Sequence, residues 1–242
     1  MIKLNKVIRM NVVITGASKG IGKAIALKFA EEGHHLAICA RNVSDLELLK
    51  NEILGKYPDT DMYISATDIR NEKQIKQFAT DAVKHFGCID VLVNNGGVFL
   101  PGKISEEEEG ALEQLMETNL YSAYHLTRAL LPYMLKSEKP HIFNMCSIAS
   151  FMAYPNGGSY SISKFALLGF SKVLREELKP SGIKVTAVMP GATWSDSWAG
   201  VDLPHERLME AKDIADTIWN VYQLGPSAVV EEIIIRPQLG DL

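Results

Sequence analysis

Short apolar, β-branched runs alternate along this chain with longer stretches whose apolar residues recur at helical spacing. The first run, Asn11 to Thr15 (NVVIT), reads as a buried strand. Glycines follow at once. IGKAIALKFAEEG then sets Ile21, Ile25, Ala26 and Phe29 on one helical face, with Gly33 ending the helix. The same reading predicts strands at 36–40, 62–67, 89–94, 141–146, 183–189 and 229–235. It predicts helices over 43–55, 71–86, 106–136, 157–178 and 211–223. Ser105 followed by Glu108 has capping-box spacing at the start of the longest helix. The run Glu106–Glu109 then reads as a solvated first turn, where negative charge is favourable, and not as an acidic docking site. Strands alternating with helices imply an α/β fold: a doubly wound, mostly parallel seven-stranded sheet with helices on both faces.

Composition narrows the class. With 242 residues, 47% of them hydrophobic, the chain can build a sizeable core, and no Gly/Ser-rich linker or repeat divides it. A single domain over 1–242 is expected, with 1–9 a loose extension and 191–210 a loop over the substrate. Acidic residues outnumber basic ones by 29 to 25, a net charge of −4, which argues against a nucleic-acid partner. No apolar stretch is long enough to span a bilayer and the N-terminus is a poor signal peptide, so no membrane partner and a cytoplasmic location are expected. Cys39, Cys88 and Cys146 have no metal-type spacing and read as free thiols in a reducing compartment. Six histidines without a ligand-like cluster imply no metal site.

The chemistry begins directly after the first strand, at TGASKGIG (15–22). Gly16, Gly20 and Gly22, with Ser18 and Ile21 between them, form a strand-to-helix turn. A diphosphate needs backbone N–H groups at a helix N-terminus, free of obstructing side chains. The strand before and the helix after supply the context that makes the motif meaningful. At the end of the second strand an acid would favour NAD, and an arginine would favour NADP by pairing with the 2′-phosphate. Here Ala40 is followed by Arg41 and Asn42, with no acid. Arg41 and Lys19 together point to NADP(H).

A second constellation lies in SIASFMAYPNGGSYSISK. Tyr160 and Lys164 stand four apart on a predicted helix and share a face. Ser147 sits thirteen residues before Tyr160, at the carboxyl end of a predicted strand, where ligands bind in such sheets. A tyrosine titrating near 10 is a poor proton shuttle at neutral pH, and a nearby ammonium would favour the phenolate. Ser147 would donate to a substrate oxygen and orient a carbonyl.

With these motifs in view, the chain resembles the short-chain dehydrogenase/reductase family from Asn11 onward, and within it the bacterial sepiapterin-reductase-like branch. The resemblance implies a Rossmann domain and interconversion of a carbonyl and an alcohol with NADP(H). Asp68 and Ile69 match the adenine contact. Asn94, Asn95, Gly96 and Gly97 match the family's NNAG segment, with Gly96 in place of alanine. Asn119 matches the helix asparagine of an Asn-Ser-Tyr-Lys tetrad, which anchors a relay water. Pro190 and Gly191 match the turn after the sixth strand, and Ser195 stands where threonine often meets the nicotinamide amide. The resemblance also implies a small-molecule carbonyl or alcohol substrate and a homodimer or homotetramer.

Several residues keep two readings. Trp194 and Trp198 could face substrate, Trp198 as a stacking wall, or could tie the 191–210 loop to the core. Tyr154, Phe151 and Met152 could line the pocket or pack beneath it. Asp196 and Asp202 read as solvated. Two other classes remain: an NADP-binding regulatory or scaffold protein without turnover, and another nucleotide-binding enzyme such as a methyltransferase.

Overall fold

In a computed structural model, residues 9–195 and 200–241 are described. Asp196 and Trp198 lie outside that set, as does all of the expected N-terminal extension except Arg9. The elements run β1 (Asn11–Thr15), α1 (Gly20–Glu31), β2 (His35–Ala40), α2 (Val43–Lys56), β3 (Met62–Ala66), α3 (Glu72–Phe86) and β4 (Val91–Asn94). There follow α4 (Ala111–Met116), a π turn (Glu117–Tyr121), α5 (Ser122–Met134), β5 (His141–Met145), α6 (Gly158–Leu178), β6 (Lys184–Pro190), α7 (Ala211–Tyr222) and β7 (Glu232–Ile235).

The strands form one seven-stranded sheet in the order β3-β2-β1-β4-β5-β6-β7, and every neighbouring pair is parallel. Strand residues alternate between two cores. Val12, Ile14, Leu36 and Ile38 face one layer with α1, α2 and α7, whereas Val13, Ala37, Cys39 and Leu92 face the other with α3, α5 and α6. A strand buried on both sides must be apolar at consecutive positions, which is why these runs lack polar alternation. Each fully buried Ile or Leu contributes about 1.5–3 kcal/mol. Strand order reverses between β1 and β4. The carboxyl ends there frame a crevice, the usual ligand position in such sheets.

Two elements depart from the sequence reading: the strand expected over 229–235 begins only at Glu232, and the longest helix starts late. The helix expected over 106–136 begins only at Ala111, after Gly110 in a left-handed conformation (φ 90°), and ends at Met134. The Ser105–Glu108 capping box does not form; instead Glu106 and Glu107 turn back by donating their N–H groups to the Lys103 carbonyl. Nor is the acidic run a solvated helical turn throughout. Glu107 is half-buried and accepts a hydrogen bond from the Ser159 N–H at 2.8 Å and another from its hydroxyl. A contact across 52 residues overrides the local preference, which sequence spacing cannot register.

Among the described residues no helix is long and apolar enough to cross a membrane, and no cluster of His, Cys, Asp or Glu could hold a metal ion. Cys39, Cys88 and Cys146 are free thiols.

Candidate active site

The glycine turn is shaped by the space it leaves. Gly16 and Gly20 have φ of 64° and 55°, a region side chains rarely adopt. At Gly22 a Cβ would overlap the Gly16 carbonyl oxygen and lie 2.5 Å from Asn95 Nδ2. Asn95 locks the arrangement: its Nδ2 donates to the Thr15 and Gly16 carbonyls at 2.9 and 3.0 Å, and its N–H donates to Thr15 Oγ1. Gly22→Ala should therefore lower the unfolding free energy by about 1–3 kcal/mol, as overpacking a filled site does. Urea denaturation measures this, and an unchanged midpoint would show that the turn can widen.

The next segment gives a reason for Gly96. A Cβ there would come within 2.5 Å of Ile69 Cδ1, so Ile69 fills the space an alanine methyl would need. Asn94 and Asn95 divide their work. The Asn94 side chain is buried, donating to Thr127 Oγ1 (3.0 Å) and Asn144 Oδ1 (2.8 Å), while Asn95 lines the crevice. Any part Asn94 plays toward a ligand falls to its backbone.

At the outer end, Arg41 follows β2 directly and is exposed. Asn42 is committed elsewhere, its side chain capping α2 through the Ser44 N–H. Lys19 is the residue before α1 and Ser18 is half-buried beside it. Asp68 is paired with Arg70 at 3.1 Å, and this guanidinium, with Arg41 adding to the field, holds the carboxyl below its ordinary range. Sequence reasoning missed Arg70; its position two residues past Asp68 was the available signal.

At the inner end, a cleft of about 640 Å³ gathers Ser147, Tyr160 and Lys164 with Ile21, Asn95, Pro190, Gly191 and Ser195. Parallel strands and one helix bring them together. Ser147 follows β5 and Pro190 ends β6, while Tyr160 and Lys164 lie in the first two turns of α6. Lys164 is 7% exposed and its Nζ donates to the Met145 carbonyl at 2.8 Å. That ammonium lies 5.9 Å from the Tyr160 ring centroid. Burial lowers the Lys164 pKa to about 8. Burial also pushes the Tyr160 phenol up to about 12, against an opposing interaction with the Ser147 hydroxyl. The expected lowering by Lys164 is outweighed by burial, and the phenol is a protonated donor at neutral pH. Ser147 Oγ accepts the Ala149 N–H at 3.2 Å, which leaves its own proton to donate.

Asn119 sits in the π turn, a helix irregularity frequent at functional sites. Its Oδ1 accepts from the Val98 N–H (2.8 Å), and its Nδ2 donates to the Val98 carbonyl (3.1 Å) and Ser163 Oγ (2.9 Å). The side chain thus ties the Val98 backbone to α6.

The remaining candidates separate. Tyr154 and Met152 line the cleft. Phe151 is exposed. Trp194 is held by the loop itself: its indole N–H donates to the His205 carbonyl at 2.7 Å and its ring stacks on His205. Sequence reasoning missed Phe99, whose ring meets Tyr160 edge-on at 4.8 Å, and Arg236 and Asp241 of the C-terminal tail. Nothing in their spacing marked them, because they reach the cleft from distant loops.

A sequence model of the short chain dehydrogenase family matches residues 10–204. The chain is 35% identical over 238 residues to the sepiapterin reductase of Chlorobaculum tepidum, covering 95% of this chain and 97% of that protein. It superposes on an alcohol dehydrogenase from the archaeon Thermococcus sibiricus, complexed with 5-hydroxy-NADP, with a TM-score of 0.88 at 26% identity. That match covers 96% of this chain and 97% of the other. A metagenomic short-chain oxidoreductase in complex with NADP gives 0.81 at 30% identity, covering 95% and 97%.

Proposed function

This chain belongs to the short chain dehydrogenase family, and from that premise we propose that it reduces a carbonyl compound to an alcohol with NADPH. The observation that carries the reading is the convergence of Ser147, Tyr160 and Lys164 in a cleft that continues to the glycine turn. The residues present fit the dinucleotide. Gly16, Ser18, Lys19, Gly20, Ile21 and Gly22 would hold the diphosphate, in a turn whose tight closure on Asn95 needs glycine at 22. Arg41 with Lys19 would take the 2′-phosphate, Asp68 and Ile69 the adenine, and Gly96 the backbone path between. Lys164 and Tyr160 would meet the nicotinamide ribose, with Pro190, Gly191 and Ser195 at the nicotinamide amide.

When bound, NADPH supplies the hydride; the protein supplies geometry and the proton. Ser147 donates a hydrogen bond to the carbonyl oxygen and fixes its direction. Tyr160 gives the phenolic proton to that oxygen as it becomes an alcohol. Lys164 stabilises the resulting phenolate, and Asn119 holds the backbone beside it. Ketones, diketones and a pterin side-chain carbonyl are the substrate classes, the last supported by the Chlorobaculum tepidum relative and by the aromatic wall of Phe99. Exposed Tyr121, Tyr124, Ile162 and Phe165 on the π turn, α5 and α6 support a homodimer or homotetramer through these helices. The three free thiols are consistent with a cytoplasmic location.

NADPH fluorescence titration followed by a panel of diketones, aldehydes, quinones and pterins tests the reading. Turnover of a panel member is expected; binding without turnover would favour a regulatory protein. The lysine adds a pH signature. Its pKa is about 8, so it is charged below that pH and neutral above it, while Tyr160 stays protonated. The kcat/KM for NADPH should be flat below pH 8 and fall above it. A flat profile through pH 9.5 would sink this role for Lys164.

A further inference from the structure

The first turn of α6 carries Tyr160, yet its own sequence does little to hold it. Gly157 at the N-cap offers no side chain to the first N–H groups, and Asn156 and Gly158 both have positive φ, 63° and 34°. Helix ends without capping partners fray. The partner comes from elsewhere. Glu107 Oε1 accepts the Ser159 N–H at 2.8 Å and Oε2 accepts the Ser159 hydroxyl. Ser159 is 2% exposed and Glu107 is half-buried, so the pair is partly shielded from water. Glycine at 158 is what allows the approach, because a Cβ there would overlap Glu107 Oε1. A backbone bond from the Gly102 N–H to the Asn156 carbonyl (2.9 Å) closes the same junction.

The second tie is the Asn119–Ser163 bond at 2.9 Å. Ser159 immediately precedes Tyr160 and Ser163 follows it by three, so the two ties bracket the tyrosine. Both reach back to the 98–119 segment, which also sets Phe99 against the Tyr160 ring. We propose that Glu107 is a positioning residue for the reaction: it clamps the first turn of α6 to the 98–110 loop, so that Tyr160 and the Phe99 wall keep one relative geometry. Two hydrogen bonds to one carboxylate fix direction as well as distance. The inference rests on Tyr160 being the proton donor. It adds a residue that touches neither substrate nor cofactor.

Four variants test it: Glu107→Ala, Glu107→Gln, Ser159→Ala and the Glu107→Ala, Ser159→Ala double variant, each read by hydrogen–deuterium exchange over 157–163 and by steady-state kinetics. Glu107→Ala should speed exchange in that segment. It should lower kcat by about 10- to 100-fold, the scale set by small misplacements of a catalytic group. NADPH affinity should change far less than kcat, because the glycine turn and Arg41 are untouched and only the Tyr160 contact with the nicotinamide ribose is disturbed. Glu107→Gln keeps an acceptor for the Ser159 N–H and an NH₂ that can donate to the hydroxyl, so it should restore most of kcat. The Glu107→Ala, Ser159→Ala double variant should lose little more than Glu107→Ala alone. Unchanged exchange in Glu107→Ala would overturn the clamp whatever the activity. Faster exchange with kcat intact would overturn the positioning role, as would a glutamine variant no better than alanine. A wild-type protein that binds NADPH but turns over nothing would bring down the parent reading and the catalytic half of this one. The exchange measurement would still decide whether the clamp exists.

Discussion

Tyr160→Phe should abolish nearly all turnover while weakening NADPH binding only slightly, through the one ribose contact its hydroxyl would make. The ring stays: phenylalanine keeps the edge-on contact with Phe99 at 4.8 Å and the packing of the first turn of α6. Only the proton donor goes. General acid catalysis typically contributes about 10²–10⁴-fold, and kcat should fall by that order. Stability should change little, since the hydroxyl removed faces the cleft and its neighbour there is the Ser147 hydroxyl. Stopped-flow or steady-state turnover, with fluorescence titration of NADPH on the same preparation, separates the two effects. Retained kcat would refute the role of Tyr160, and lost NADPH binding would mean the variant reports on the pocket and not on the proton.

The second large effect is expected at the opposite end of the cofactor. Arg41→Ala should weaken NADPH binding by about 10- to 100-fold, as removal of charge-assisted hydrogen bonds of about 1.5–3 kcal/mol implies. NADH, which lacks the 2′-phosphate, should bind nearly as before. The surroundings sharpen this expectation. Asp68 is paired with Arg70, so its charge does little to oppose a phosphate near Arg41. Paired titrations of the two cofactors against wild type and variant give the ratio directly. Equal losses for both would show that Arg41 supports the turn without reading the phosphate. The difference should shrink at high salt, because Arg41 is exposed and its attraction is screened.

The sequence by itself determined the strand and helix alternation, the parallel sheet and the glycine turn. Each is written locally: period and burial in the strands, missing side chains at Gly16, Gly20 and Gly22, and an i, i+4 pair at Tyr160 and Lys164. Short-range geometry needs only neighbouring residues, so it is legible before folding is considered. What the tertiary structure alone decided lies where distant segments meet. The start of α4 moved to Ala111 because Glu107 found Ser159, 52 residues away, and that contact outweighed the local helix signal. Asn94 turned into the sheet toward Asn144, leaving Asn95 to brace the glycine turn. Trp194 was drawn to His205, and Phe99 took the place against Tyr160. Proton affinities at the site belong to the same category. A tyrosine raised to about 12 and a lysine lowered to about 8 are products of burial, which a residue acquires only when the rest of the chain closes over it.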